Sequence, residues 1–301
     1  MKKLYDRFTA GSRQDIDFVY TGYHVSQEKD FSIILNQHDY IDNISVEKMA
    51  ASKQTDKQLP LTKDEQSHYR SLVGKLGWIV QGTRPDLAFS WLEASTKNNS
   101  ATVDDMLNVG KKLLSAKMSK GTIFFQNLGD YKNWVIVCFS DAAHANICDA
   151  TGSTGGSVVF LMGEDNKCCP LSWKSTKLRR VCRSSAAAEG MSLSECIDEG
   201  IYFRQILCQL LGVDKDVIRV IAYTDHEGLR SNISSVLHPK VLDKRLKIEI
   251  ANIRQNIRSG EINEIIWCSS DAQLADCLTK RGASGIKLLS VLQSGCFPRT
   301  N

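Results

Sequence analysis

Three short apolar runs, "WVIVCFS" (134–140), "GGSVVFLMG" (155–163) and "CPLSWKS" (169–175), follow one another with only turn residues between them. Runs of this length, bounded by Gly, Asp and Asn, read as strands of a meander. A helical pattern then extends from Ser184 to Leu211. "VIRVIAYTD" (217–225) reads as a fourth strand and "HEGLRSNISS" (226–235) as a short helix. "LDKRLKIEIANIRQNIRSG" (242–260) is amphipathic and closed by Gly260, as a helix C-terminus requires. "INEIIWCS" (262–269) is a fifth strand, and "DAQLADCLTK" (271–280) opens a final helix. The order β-β-β-α-β-α-α-β-α confines this half of the chain to an α/β fold, a mixed five-stranded sheet with flanking helices.

The first half has a different texture. "DFVYTGYHVSQEKDFSIILNQHDYIDNI" (17–44) reads as two short strands with a charged hairpin loop around Gln27 to Asp30, then a helix beginning at Asp39. "KMAASKQTDKQLPLTK" (48–63) is polar and reads as a linker. "DEQSHYRSLVGKLGWIVQG" (64–82) and Thr102 to Met118 carry apolar residues at helical spacing, and Pro85 suits the first turn of a helix through "RPDLAFSWLEAS". The expected organisation is residues 1–60, a smaller mostly helical region 61–130, an α/β domain 131–282 and a C-terminal tail 283–301.

Composition narrows the class. Hydrophobic content of 42% and charged content of 24% fit a soluble globular protein, and a net charge of +4 is too small to argue nucleic-acid binding alone. No apolar run approaches the roughly 20 residues that span a bilayer, so no membrane partner is expected. "MKKLYDRFTAG" has no apolar signal core, which implies an intracellular protein, cytoplasmic or nuclear and not secreted. The ten cysteines include no Cys-x2-Cys pair, and most sit in apolar surroundings. They read as small core residues in a reducing compartment rather than as a zinc site.

The chemistry rests on carboxylates at element ends. Asp141 follows the first apolar run and Asp225 ends the fourth strand. If those strands are neighbours, the two acids face each other at one rim. Glu189 lies in the first turns of the long helix, where Ala186, Ala187, Ala188 and Gly190 let a helix press close to a sheet. Asp276 is bracketed by Leu274 and Leu278 in the last helical segment. Singly, each fits an ordinary role as a turn cap, a helix-dipole partner or a solvated acid. Together, four carboxylates repel unless a cation neutralises them. A hard divalent ion such as Mg²⁺, with Mn²⁺ as a substitute, suits oxygen ligands, and two ions about 4 Å apart clamp an in-line displacement at phosphorus.

Several blocks resemble the C-terminal part of Ty1/copia-type retrotransposon Pol polyproteins, the end of the reverse transcriptase followed by the ribonuclease H domain. "YRSLVGKLGWIVQGTRPDLAF" (69–89) is similar to a block downstream of that family's polymerase palm. "FSDAAHA", "SSAAAEGMSL", "YTDHEG" and "QLADCLTK" resemble its four ribonuclease H motifs in order, and "DFVYTGYHVS" with "ILNQHDYI" the segment after the polymerase active site. The resemblance spans about residues 16 to 280. It implies a ribonuclease H-like fold at 131–282, a thumb- or connection-like region at 61–130 and a palm remnant at 1–60. It implies that Asp141 bridges both metals, that Glu189 and Asp225 complete the metal site near the leaving group, and that Asp276 holds the metal activating the water. The earlier of two glutamates common in the second motif is Ala187 here. No histidine stands in "CSSDAQ" before the last helical segment, so no catalytic histidine is carried over.

The implied substrate is an RNA–DNA hybrid. "YIDN" (40–43) is not the polymerase Tyr-x-Asp-Asp motif, so polymerisation would need a reverse transcriptase palm supplied by another chain. "WKSTKLRRVCRSS" offers Lys174, Lys177, Arg179, Arg180 and Arg183 without an acid, a candidate backbone-binding stretch. Lys240, Lys244, Arg245 and Lys247 form a second basic patch. Trp78, Trp173 and Arg84 read as packing residues. The competing reading is a catalytically idle retroelement fragment that at most binds nucleic acid.

Overall fold

The computed structural model describes residues 15–47, 49, 53, 55–148, 150–237 and 241–298. The chain opens with β1 (Asp17–Tyr20), β2 (Tyr23–Gln27) and β3 (Ile33–Asn36). These are three strands where the sequence suggested two. Gly22, at φ +87, turns the chain tightly inside what reads as one continuous run and adds a strand, while the hairpin loop around Gln27 to Asp30 joins β2 to β3 as expected. α1 (His38–Asp42) follows, then α2 (Lys63–Gly82), α3 (Ala88–Thr96) and α4 (Val103–Met118). Thr62 and Thr102 start α2 and α4 with reciprocal capping boxes to Glu65 and Asp105, which satisfy N–H groups the helix leaves unpaired. Pro85 stands in a short 3₁₀ turn, Pro85–Leu87, that leads into α3. β4 (Thr122–Phe125) pairs antiparallel with β3 and completes a four-stranded sheet.

The second sheet contains β5 (Val135–Ile147), β6 (Gly152–Met162) and β7 (Cys168–Lys177) as an antiparallel meander. After α5 (Ser185–Leu211), β8 (Arg219–Thr224) joins β5 in parallel. α6 (Glu227–Ser234) and α7 (Lys244–Arg258) precede β9 (Glu264–Trp267), which is parallel to β8. The strand order is β7-β6-β5-β8-β9. This is the mixed five-stranded sheet expected from the sequence.

Two expectations are corrected. "DAQLADCLTK" forms no continuous helix; it contains only the 3₁₀ turns Ser270–Ala272 and Asp276–Leu278. Gln273 explains why. Its Nε2 donates to the Ser140 carbonyl and its Oε1 accepts the Ala275 N–H, and such side-chain bonds compete with helical ones. The helix comes later, as α8 (Ile286–Ser294). Residues 283–298, read as a C-terminal tail, carry α8, whose Leu288, Val291 and Leu292 are buried in the core.

Alternation along β5 and β6 divides the interior. Ile136, Cys138 and Val159 face α5, α6 and α7. Val137, Phe139, Val158 and Phe160 belong to one cluster with Leu72 and Leu76 of α2, Leu113 of α4, Ile123 of β4 and Leu288 of α8. The second face of the mixed sheet is thus covered by the preceding helical region and α8. α5 presses on the sheet where expected, Ala188 packing with Ala142 of β5, and again at Gly200, where a Cβ would stand 2.5 Å from Cys138 Sγ. Gly190 instead admits Leu246 of α7.

Candidate active site

Asp141 does not end its strand; β5 continues to Ile147 through an irregularity after Ala143. What ends is the parallel neighbour. Val135 pairs with Arg219 and Phe139 with Tyr223, so the same register brings Asp141 level with Asp225, just beyond β8. On the other side Asp141 pairs with Gly156, where a Cβ would strike Thr279 Cγ2 at 2.6 Å. The bare glycine lets the 276–279 turn close over the strand beside the acid.

Glu189 reaches the same place from the second turn of α5. Ser184 caps that helix by accepting the Ala187 N–H, and Ser192 Oγ donates to the Asp141 carbonyl at 3.0 Å. The helix is thereby tied to the strand carrying Asp141. One oxygen each from Asp141, Glu189 and Asp225 lie within 4.8 Å of one another. Asp141 is 1% exposed and Glu189 7%. Ser270 Oγ donates to Asp225 Oδ2 at 2.9 Å.

The electrostatics follow from burial. Desolvation, then the nearby Asp141 and Asp225 charges, push the Glu189 carboxyl up to about 9. Burial also raises Asp141; the Thr279 hydrogen bond and Lys280 oppose it, while Asp225 and Asp276 add to it. Glu189 Oε2 is buried with no hydrogen-bond partner. A buried, unpartnered carboxylate oxygen facing two further acids is costly unless a cation completes it. The all-oxygen donor set suits a hard divalent ion.

Asp276 lies outside that trio. Its carboxylate bonds to Lys280, four residues on, and Lys280 Nζ also lies 3.4 Å from Asp141 Oδ2. Thr279 Oγ1 donates to the same Asp141 oxygen. The sequence reading missed Thr279 and Lys280, although an acid and a base spaced i, i+4 signal a pair.

The basic stretch divides. Lys174 pairs with Glu199 at 2.8 Å and Arg180 with Glu249 at 3.0 Å. Lys177, Arg179 and Arg183 are exposed and in no salt bridge among the described residues. Lys177 Nζ lies 3.4 Å from Cys148 Sγ. Cys148 borders a cleft of about 520 Å³ between the helical region and the mixed sheet, lined also by Lys97, Lys111, Lys112 and Arg281. In the second patch Lys244, Arg245 and Lys247 begin α7, and Lys240 lies outside the described residues. Trp173 and Trp78 pack as expected, Trp173 against the core cluster and Trp78 against Tyr23 at 5.2 Å. Arg84 is buried and pairs with Asp86 at 2.6 Å.

No family model matches the chain. It is 28% identical over 293 residues to the retrovirus-related Pol polyprotein from transposon RE2 of Arabidopsis thaliana, covering 92% of this chain and 19% of that protein. It is 26% identical over 290 residues to the polyprotein from transposon RE1 of the same plant, covering 93% and 19%. A putative transposon Ty5-1 protein of Saccharomyces cerevisiae is 26% identical over 216 residues, covering 65% and 68%. The chain spans about a fifth of the length of the two plant polyproteins. Its similarity to retrotransposon Pol proteins agrees with the Ty1/copia-type resemblance of its motifs. Among solved structures, ribonuclease H1 from Halobacterium salinarum matches with a TM-score of 0.33 and 11% identity, over 48% of this chain and 94% of that one. LC11-RNase H1 in complex with an RNA/DNA hybrid matches with a TM-score of 0.34 and 18% identity, over 48% and 93%. Among the described residues, no helix is long and apolar enough to cross a membrane.

Proposed function

We propose that this chain is a ribonuclease H-type endonuclease that hydrolyses the RNA strand of RNA–DNA hybrids with two Mg²⁺ ions, for which Mn²⁺ substitutes. The observation that carries this reading is the convergence of Asp141, Glu189 and Asp225 from two parallel strands and one helix, with a buried Glu189 oxygen left unpartnered.

In this reading Asp141, Glu189 and Asp225 would hold one ion, and Asp141 with Asp276 the other; when bound, such ions would supply Lewis acidity toward a phosphate and a water. The protein's own part is placement. β5 and β8 fix two acids at one rim, α5 brings the third, and the 276–279 turn holds Asp276 outside that trio, on the Lys280 side of Asp141. Lys177, Arg179 and Arg183 hold the phosphate backbone beside them, and hybrid selectivity comes from contacts to 2′-hydroxyls.

The test is cleavage of a labelled RNA–DNA hybrid by the purified chain, with and without Mg²⁺. Metal-dependent cleavage of the RNA strand, lost in Asp141→Asn, is the expected result. Hybrid binding without cleavage by the wild type would replace this reading with that of an idle nucleic-acid-binding fragment.

A further inference from the structure

The cleft of about 520 Å³ between the helical region and the mixed sheet shares no lining residue with the carboxylate cluster. Its volume is that of a small-molecule site. Lys97, just after α3, and Lys111 and Lys112, on α4, line it and enter no salt bridge among the described residues. The two acids of its lining are already engaged. Glu93 accepts from Arg281 at 2.7 Å. Asp105 accepts the Thr102 N–H at 2.9 Å and the Thr102 hydroxyl at 3.0 Å, in the capping box of α4. Three ammonium groups are therefore left without a counter-anion in one concavity. A concavity with low-dielectric walls focuses such a field and draws in anions. Val109 and Ile147, both buried, add an apolar part to the lining.

We propose that this cleft is a binding site for a triphosphate, held by Lys97, Lys111 and Lys112, and that it works without any metal at the carboxylate cluster. Lysine suits the task, because its ammonium meets phosphate as a point charge carried on a flexible stem. A triphosphate is a compact polyanion, and it supplies the counter-charge that Glu93 and Asp105 do not. Two sources offer this chemistry, a nucleoside triphosphate and inorganic tripolyphosphate. Val109 and Ile147 favour the nucleoside triphosphate, because they give its base an apolar surface to cover.

Cys148 gives the readout. Among the described residues it is the one exposed thiol, and it borders the cleft. The experiment follows alkylation of Cys148 by iodoacetamide in the full chain, by peptide mass spectrometry, with ATP, tripolyphosphate, adenosine or no addition. Calorimetric titration with the same compounds gives affinity and stoichiometry. EDTA is present throughout, so that no divalent ion bridges a phosphate to the carboxylate cluster. ATP and tripolyphosphate should each bind one to one and slow the alkylation, ATP the more tightly; adenosine should do neither. Lys111→Gln with Lys112→Gln should weaken ATP binding about tenfold or more, the worth of a hydrogen bond to a charged group, at an unchanged melting temperature. Lys244→Gln with Lys247→Gln, in the other basic patch and outside the cleft, should leave it unchanged. Tighter binding of tripolyphosphate than of ATP would keep the triphosphate site and overturn the nucleoside as its source. Equal losses in the two double variants would overturn the site in favour of diffuse attraction to surface lysines. Binding without protection of Cys148, or no binding of either triphosphate, would overturn the assignment to this cleft.

Discussion

Trp173 donates its indole Nε1–H to the Val80 carbonyl at 2.9 Å. Val80 lies in the last turn of α2, where a helix leaves carbonyls without intrahelical partners. A strand of the mixed sheet therefore completes a helix of the preceding region, and the two parts share one apolar core. Removing a donor so that a buried acceptor goes unpaired costs about 1–3 kcal/mol. Trp173→Phe should lower unfolding free energy by that order in urea denaturation, with a single transition retained. Separate transitions for the two halves in the wild type would contradict the shared core.

Asp141→Asn keeps the shape of the side chain, including an oxygen to accept from Thr279, and removes the charge. Loss of even an outer partner of a metal ligand typically costs 10–100-fold. Cleavage should therefore fall more than about 100-fold while the circular dichroism spectrum and melting temperature stay near wild type. Retained cleavage would remove Asp141 from the site.

Glu189 gives a pH signature in metal-free protein. Burial, then the charges of Asp141 and Asp225, raise its carboxyl from 4.5 to about 9 in the folded chain. The folded state thus binds the proton more tightly than the unfolded state. Its contribution is complete below pH 4.5 and is lost as pH rises through about 9. In EDTA the melting temperature should fall across that window. Glu189→Gln should flatten the fall, and Mg²⁺ should restore most stability at the alkaline end. An identical pH profile for wild type and Glu189→Gln would show that this carboxyl carries no proton in the folded chain.

The exposed basic residues separate by their existing partners. Lys177 and Arg179 are exposed, whereas Lys174 and Arg180 already pair with Glu199 and Glu249. Lys177→Ala with Arg179→Ala should weaken hybrid binding and lower the magnitude of the log K against log salt slope by roughly two, one for each phosphate contact. Lys174→Ala with Arg180→Ala should do less. Filter binding at several salt concentrations decides it; equal effects from both pairs would mean the salt bridges open when nucleic acid binds.

Much of the fold was legible along the chain because it is written in local periodicity. The short apolar runs of β5, β6 and β8, the long helical pattern of α5 and the amphipathic α7 each declare a type and a buried face without reference to anything distant. Asp141 and Asp225 were legible for the same reason, since both follow such runs. Tertiary structure decided what covers the other face of the sheet, because Val137 and Phe139 specify that they are buried but not that α2, α4 and α8 bury them. It decided that "TIFF" becomes β4, a segment too short for any period to show, whose partner β3 lies far back in the chain. It decided the environment of Asp276. The segment's helical spacing gave way to Gln273 bonds with Ser140 and to Lys280 lying beside Asp141. Those contacts join residues more than a hundred positions apart. No local pattern encodes them, because a side chain's preference for a helix is worth only a fraction of a kcal/mol and one buried hydrogen bond outweighs it.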